Sequence, residues 1–77
     1  MNERKSLYQV IEEVYPVRVN ERDYDSIEKD VSYYLLQGFT ISECVQAAID
    51  FYDENKHWCD DDPAACFNYG MHEYLSH

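Results

Sequence analysis

Three interruptions divide this 77-residue chain into four segments, and each segment carries apolar residues at helical spacing. Pro16 ends the first segment, because proline lacks the amide hydrogen that a continuing helix needs. Gly38 ends the second, and Asp62 followed by Pro63 is typical of a helix N-cap and first helical residue. The segment TISE at 40–43 is a capping box that begins the third. The pattern predicts an all-α, single-domain bundle of four short helices, at about residues 3–14, 22–37, 41–55 and 63–75.

The apolar stripes of the four predicted helices are expected to meet in one modest core, which is as much as a chain of this length can build. The third helix has the widest stripe and is therefore predicted to be the most buried. Asn20 is expected to cap the second helix. The predicted core consists of Leu7, Val10, Ile11, Val14, Ile27, Val31, Leu35, Val45, Ala48, Ile49, Tyr52, Phe67 and Met71.

Composition excludes several classes of protein. No apolar run approaches ~18 residues and no apolar leader follows the first methionine, so neither a membrane span nor a secretion signal is expected. Three cysteines, an odd count, favour a reducing compartment, so we predict a cytoplasmic protein with free thiols. A bridge between Cys59 and Cys66 is the alternative. No nucleophile and base pattern and no glycine-rich phosphate loop is present, which predicts a non-enzymatic protein without a cofactor.

The closing stretch contains residue types that bind zinc, spaced H-x-C-x6-C-x5-H. Structural zinc sites use tighter pairs, because two ligands close in sequence lower the entropy cost of forming the site. In a helix that begins at Pro63, Cys66 and His72 are separated by about 600° of rotation and point to different sides. We therefore predict no metal site, with zinc as the weaker alternative. The weak zinc candidates are His57, Cys59, Cys66 and His72.

Charge is the most unusual property of the chain, with 16 acidic and 6 basic residues and a net charge of −10. Such a surface repels nucleic acid and anionic lipid and attracts basic protein surfaces. Glu43, Asp50 and Glu54 lie within ~40° on the third helix, with rises of ~10 and ~6 Å between them. Because those intervals are comparable to DNA groove widths of about 12 and 6 Å, the carboxylates can stand in for phosphates. The alternative is a solvated helix face.

Tyr33 and Leu36 lie on the second helix, roughly 180–240° away from its apolar stripe, and are expected to face outward unless another segment covers them. Exposed tyrosine is typical of protein interfaces. This pair therefore predicts an apolar patch for a partner or for a second copy of the chain.

The leading functional hypothesis is a small acidic inhibitor that blocks the basic, nucleic-acid-binding surface of another protein, as a nucleic-acid mimic. Phage or mobile-element proteins directed against CRISPR or restriction systems, and nuclease immunity proteins, are of this kind. The alternative is a homodimeric or adaptor module that uses the Tyr33/Leu36 patch. The predicted partner-binding residues are the phosphate surrogates Glu43, Asp50, Glu54, Asp60, Asp61 and Asp62 and the anchors Tyr33, Leu36 and Trp58.

The stretch QGFTISECVQAA resembles the Gly-Phe turn and following helix of ubiquitin-associated domains, and EYLSH is similar to their closing helix. The correspondence is Gly38, Phe39 and the apolar helical pattern, over about half of the chain. Gln37 stands where that family usually has methionine, and the segment before the last helix is longer. No function is assigned from this resemblance.

Overall fold

The computed structural model describes residues 7–76, and within that range the chain is helical with no strand. The predicted all-α class is confirmed. The part of the first predicted helix that precedes residue 7 lies outside the described residues. The helices are α1 (Leu7–Val14), α2 (Tyr24–Leu36), α3 (Ile41–Glu54), α4 (Lys56–Cys59) and α5 (Pro63–Leu75), with a 3₁₀ turn at Glu21–Asp23.

The helix ends follow the local signals in the sequence. The Thr40 side chain accepts a hydrogen bond from the Glu43 amide at 3.1 Å, while the Glu43 carboxylate accepts from the Thr40 amide at 2.8 Å. Gly38 has a φ of 104°, and the amide of the next residue donates to the Tyr34 carbonyl at 3.1 Å. Only glycine adopts this left-handed backbone without strain, so it ends α2 two residues before the cap of α3.

Two local features differ from the predictions. The chain enters α2 through the 3₁₀ turn, and the Asn20 side chain makes no capping hydrogen bond, so α2 begins later than expected. The four-residue helix α4 was not predicted. It is only about one turn long, so it cannot show an apolar stripe of helical period. This turn places Trp58 and Cys59 against α5.

The packing of α3 against α5 forms the centre of the molecule and is the most extensive contact between helices. Gly70 allows this close approach. A Cβ atom added there would lie 2.8 Å from the Ala48 Cα, 2.9 Å from the Phe51 Cβ and 3.0 Å from the Ala47 carbonyl oxygen. Because Ala47 and Ala48 are also small, the two helix backbones pack almost directly on each other.

Burial confirms most of the predicted core and corrects part of it. Val14 and Leu35 were predicted to be core residues, but they are 49% and 40% exposed. In α2 the side chain that turns towards α5 is Tyr34, whose hydroxyl lies 2.8 Å from the Ser76 Oγ. Leu35, one residue further, is rotated about 100° from it. Of the remaining predicted residues, Leu7, Val10 and Ile49 are half-buried. The buried residues that the prediction missed are Tyr15, Val19, Tyr34, Cys44, Ala47, Cys59, Ala64, Cys66 and Gly70.

This correction gives a testable difference within α2. We expect Leu35→Ala to lower the free energy of unfolding by less than about 1 kcal/mol, because its side chain is already partly in water. Ile27→Ala should cost about 2–5 kcal/mol, since Ile27 is fully buried and truncation leaves a cavity. Urea denaturation of both variants measures the difference. Equal losses would place Leu35 in the core after all.

Cys59 and Cys66 form a disulfide that joins α4 to the first turn of α5, with their Cα atoms 5.1 Å apart. The expectation of three free thiols is therefore wrong for this pair, and the alternative that the sequence left open is the one observed. The turn at 60–62 reverses the chain between two helical segments, which brings the two cysteines together. Cys44 is free and buried, and burial raises the pKa of its thiol to about 11.

None of the helices within residues 7–76 combines the length and apolar composition needed to cross a bilayer.

Candidate functional site

The solvent-facing side of α3 carries the predicted acidic residues. All three residues, Glu43, Asp50 and Glu54, are exposed. They lie on one uninterrupted helix, so the predicted rises of ~10 and ~6 Å along its axis apply. Each of the three carboxylates accepts an intramolecular hydrogen bond. Besides the capping bond of Glu43, Asp50 accepts from the side-chain amide of Gln46 at 2.9 Å, and Glu54 accepts from the Tyr74 hydroxyl at 2.7 Å. These three carboxylates are therefore both exposed and hydrogen-bonded from within the chain.

The three aspartates between α4 and α5 are also exposed. Asp60 accepts a hydrogen bond from the Tyr52 hydroxyl at 2.8 Å, and Asp62 caps α5 by accepting from the Ala65 amide at 3.2 Å. The backbone amide of Asp61 donates to the Trp58 carbonyl at 3.1 Å. The disulfide encloses this turn, so three like charges are kept close together beside Trp58.

An aromatic row runs along the junction of α3, α4 and α5 and consists of Tyr74, Phe51, Trp58 and Tyr69. Successive ring centroids are 6.4, 5.7 and 5.7 Å apart, in edge-to-face contacts that are favourable for aromatic pairs. Tyr69 is 57% exposed and Tyr74 is 38% exposed. Gly70 makes the row possible, because a side chain there would collide with Phe51.

Sequence reasoning found only Trp58 of this row. Helical periodicity places Tyr74 on the apolar stripe of the last helix and Phe51 at the edge of that of the third, so neither residue stood out as part of a site. The sequence did contain one signal for the row: Tyr69 and Tyr74 lie on either side of Gly70 in the last helix. Its meaning depends on how closely α3 approaches α5, which periodicity does not show.

Carboxylates surround the Tyr74 end of the aromatic row. Asp50, Asp53, Glu54 and Tyr74 line a shallow cleft of about 350 Å³. The hydrogen bond to Glu54, with partial burial and the neighbouring negative charges of Asp50 and Glu73, raises the pKa of Tyr74 to about 12. The phenol therefore stays neutral at physiological pH, and its ring lies in a strongly negative environment.

The Tyr33/Leu36 patch faces solvent, with Tyr33 58% and Leu36 89% exposed. Leu35 extends it, because that side chain is also partly exposed. The patch lies on α2, whereas the acidic residues and the aromatic row lie on α3, α4 and α5. Tyr33 contacts the ring of Tyr34, with centroids 5.2 Å apart, whereas Trp58 contacts Phe51 and Tyr69.

The zinc alternative is inconsistent with the disulfide, since the sulfur atoms of Cys59 and Cys66 are bonded to each other. His57 is exposed on α4, and the His72 Nδ1 lies 3.3 Å from the Tyr34 hydroxyl on the side of α5 that faces α2. Among residues 7–76 no cluster of three or more metal-binding side chains is present.

Neither a protein family model, nor a curated protein, nor a solved structure matches this chain. None of these comparisons supports the resemblance to ubiquitin-associated domains.

Proposed function

We propose that this chain is a small acidic, non-enzymatic protein that binds and blocks a basic, nucleic-acid-binding surface of another protein. In this role its carboxylates replace phosphates. Inhibitors from phages or mobile elements that act against CRISPR or restriction systems, and nuclease immunity proteins, work on targets of this kind. Size and charge place the chain in this class by analogy.

The observation that carries the proposal is the way in which the predicted phosphate surrogates are held. The partners of their carboxylates are hydroxyl, backbone amide or side-chain amide groups. Such partners position a carboxylate without neutralising its charge, whereas an ion pair would cancel it. These bonds partly orient the carboxylates before a partner binds, which lowers the entropy cost of ordering them. The residues concerned are Glu43, Asp50, Glu54, Asp60 and Asp62, with Asp61 exposed between the last two.

Cytoplasmic localisation stays part of the proposal, because targets that bind nucleic acid are found there. The disulfide removes the argument from free thiols, so localisation now depends on the proposed partner alone.

The test is a comparison of two variants of equal charge in partner capture. The first, Glu43→Gln, Asp50→Lys and Glu54→Gln, retains side-chain oxygens that can accept from the Thr40 amide and the Tyr74 hydroxyl. It changes the charge by +4, from −10 to −6. We expect at least a tenfold loss of affinity for the captured partner, because close charge pairs across such interfaces are strongly coupled. Mass spectrometry should identify nucleic-acid-binding proteins that elute with salt and are displaced by nucleic acid.

The matched control is Glu12→Gln, Asp25→Asn and Glu28→Lys, which also gives −6 through exposed residues of α1 and α2. It should bind nearly as the wild type does. Circular dichroism must show the same helicity for both variants. Equal losses in the two variants would mean that net charge alone matters, and no loss in either would contradict the mimicry.

The exposure of Leu36 favours one second candidate, a homodimeric or adaptor module that uses the Tyr33/Leu36 patch. Its contact would be apolar, so salt would not weaken it. Capture that persists at high salt and is abolished by Leu36→Glu would support this module in place of the mimic.

A further inference from the structure

The aromatic row is an unpartnered face with negative charge at both ends. Asp50, Asp53 and Glu54 surround Tyr74 at one end. At the other end Asp30 of α2 lines a cleft together with Tyr69. The turn at 60–62, with its three aspartates, is hydrogen-bonded through its backbone to the carbonyl of the neighbouring Trp58. Lys56 is the only lysine or arginine from residue 39 to the end of the chain. An occupant of this face must therefore present positive charge and flat apolar surface together.

Arginine meets both requirements. The guanidinium group is planar and weakly hydrated, stacks on aromatic rings and donates to a carboxylate through two parallel hydrogen bonds. The lysine ammonium group is compact and strongly hydrated, so it gains less from a ring. Nucleic-acid bases also stack on aromatic side chains, but their phosphates would meet the carboxylates at both ends of the row.

We propose that the aromatic row is the docking site for arginine side chains of the basic partner, with the flanking carboxylates accepting the guanidinium hydrogen bonds. This inference rests on the proposed function and specifies its contact. The rings of Tyr69 and Tyr74 provide the exposed surface, and the hydrogen bond from Tyr74 to Glu54 holds one ring in place. The face therefore distinguishes arginine from lysine, which charge alone does not.

The chain provides its own reporter, since Trp58 is its only tryptophan and lies in the row. Fluorescence titration with two peptides, (Arg-Ser)₄ and (Lys-Ser)₄, compares cations of equal number and spacing at physiological ionic strength. We expect the arginine peptide to bind about fivefold or more tightly than the lysine peptide, as stacking on exposed rings allows.

Tyr69→Leu and Tyr74→Leu should each reduce the affinity for the arginine peptide towards that for the lysine peptide. Tyr69 is mostly exposed and Tyr74 is partly exposed, and circular dichroism verifies that the variants fold. Tyr33→Leu, which removes an exposed tyrosine of α2, is the matched control and should change nothing. Isothermal titration calorimetry repeats the measurement without depending on the indole.

The outcomes separate the two proposals. Equal affinity for the two peptides, or insensitivity to Tyr69→Leu and Tyr74→Leu, overturns the arginine site and leaves the charge-based function standing. A loss on Tyr33→Leu as large as that on Tyr69→Leu also overturns it. If neither peptide binds and no nucleic-acid-binding protein is captured, both proposals fail.

Discussion

Gly70→Ala is expected to lower the free energy of unfolding by about 3 kcal/mol, at the upper end of the usual cost of overpacking a core. The new methyl group would meet the backbone of Ala47 and Ala48, which cannot move aside as the end of a flexible side chain can. Helix α5 would have to withdraw from α3 along their main interface. Urea denaturation of the variant and the wild type measures the change.

The expected loss of stability in Gly70→Ala is opposite in sign to the usual effect of replacing glycine by alanine in a helix. In an ordinary helix interior, replacing glycine by alanine stabilises by about 1 kcal/mol, because alanine has the higher helix propensity. A more stable Gly70→Ala protein would therefore show that α3 and α5 are not in such close contact. Gln46→Ala, at an exposed position of α3, is a suitable control and should change stability by less than about 0.5 kcal/mol.

Reduction of the Cys59–Cys66 disulfide is expected to lower the free energy of unfolding by about 2–3 kcal/mol, as loop-closure entropy predicts for a bridge across so few residues. For a domain of this size that corresponds to a fall of roughly 10 °C or more in the thermal midpoint. Thermal melts followed by circular dichroism, with and without dithiothreitol, measure it. The bridge also holds the three aspartates of the 60–62 turn together, and opening it lets them separate.

The control for this experiment is Cys59→Ala with Cys66→Ala. This variant should melt close to the reduced wild type and should not respond to dithiothreitol, because Cys44 has no partner for a bridge. A wild-type midpoint that is unchanged by dithiothreitol would mean that the two cysteines are not bonded in solution.

Local signals in the sequence were sufficient for the end of α2 and for the starts of α3 and α5. The capping box at Thr40, the glycine at 38 and the aspartate that caps α5 each involve residues close in sequence, so their chemistry can be deduced without the fold. Four segments with apolar stripes at helical spacing can bury those stripes only by packing together, which gives a helical bundle.

Relations between helices could not be deduced in this way. Periodicity gave α2 one apolar stripe, but whether Tyr34 or Leu35 turns inward depends on where α5 lies. Likewise, the close approach at Gly70 and the resulting aromatic row follow from the packing of α3 on α5. The disulfide was only the alternative prediction, for a different reason. The odd number of cysteines was interpreted as evidence for a reducing compartment. The pairing of Cys59 with Cys66 depends on helix α4, which is too short to show an apolar stripe of helical period.

The alkylation rate of Cys44 can report how often the core of this fold opens. Its side chain is completely buried on α3, and the raised pKa of its thiol leaves very little thiolate at neutral pH. With the other two cysteines bonded to each other, an alkylating reagent has one thiol to modify, and it can do so only in molecules that have opened. The rate at which Cys44 is labelled therefore reports how often the α3 side of the core becomes accessible. A bound partner that stabilises the closed bundle would slow this rate, so occupancy can be measured without attaching a probe to the binding surface.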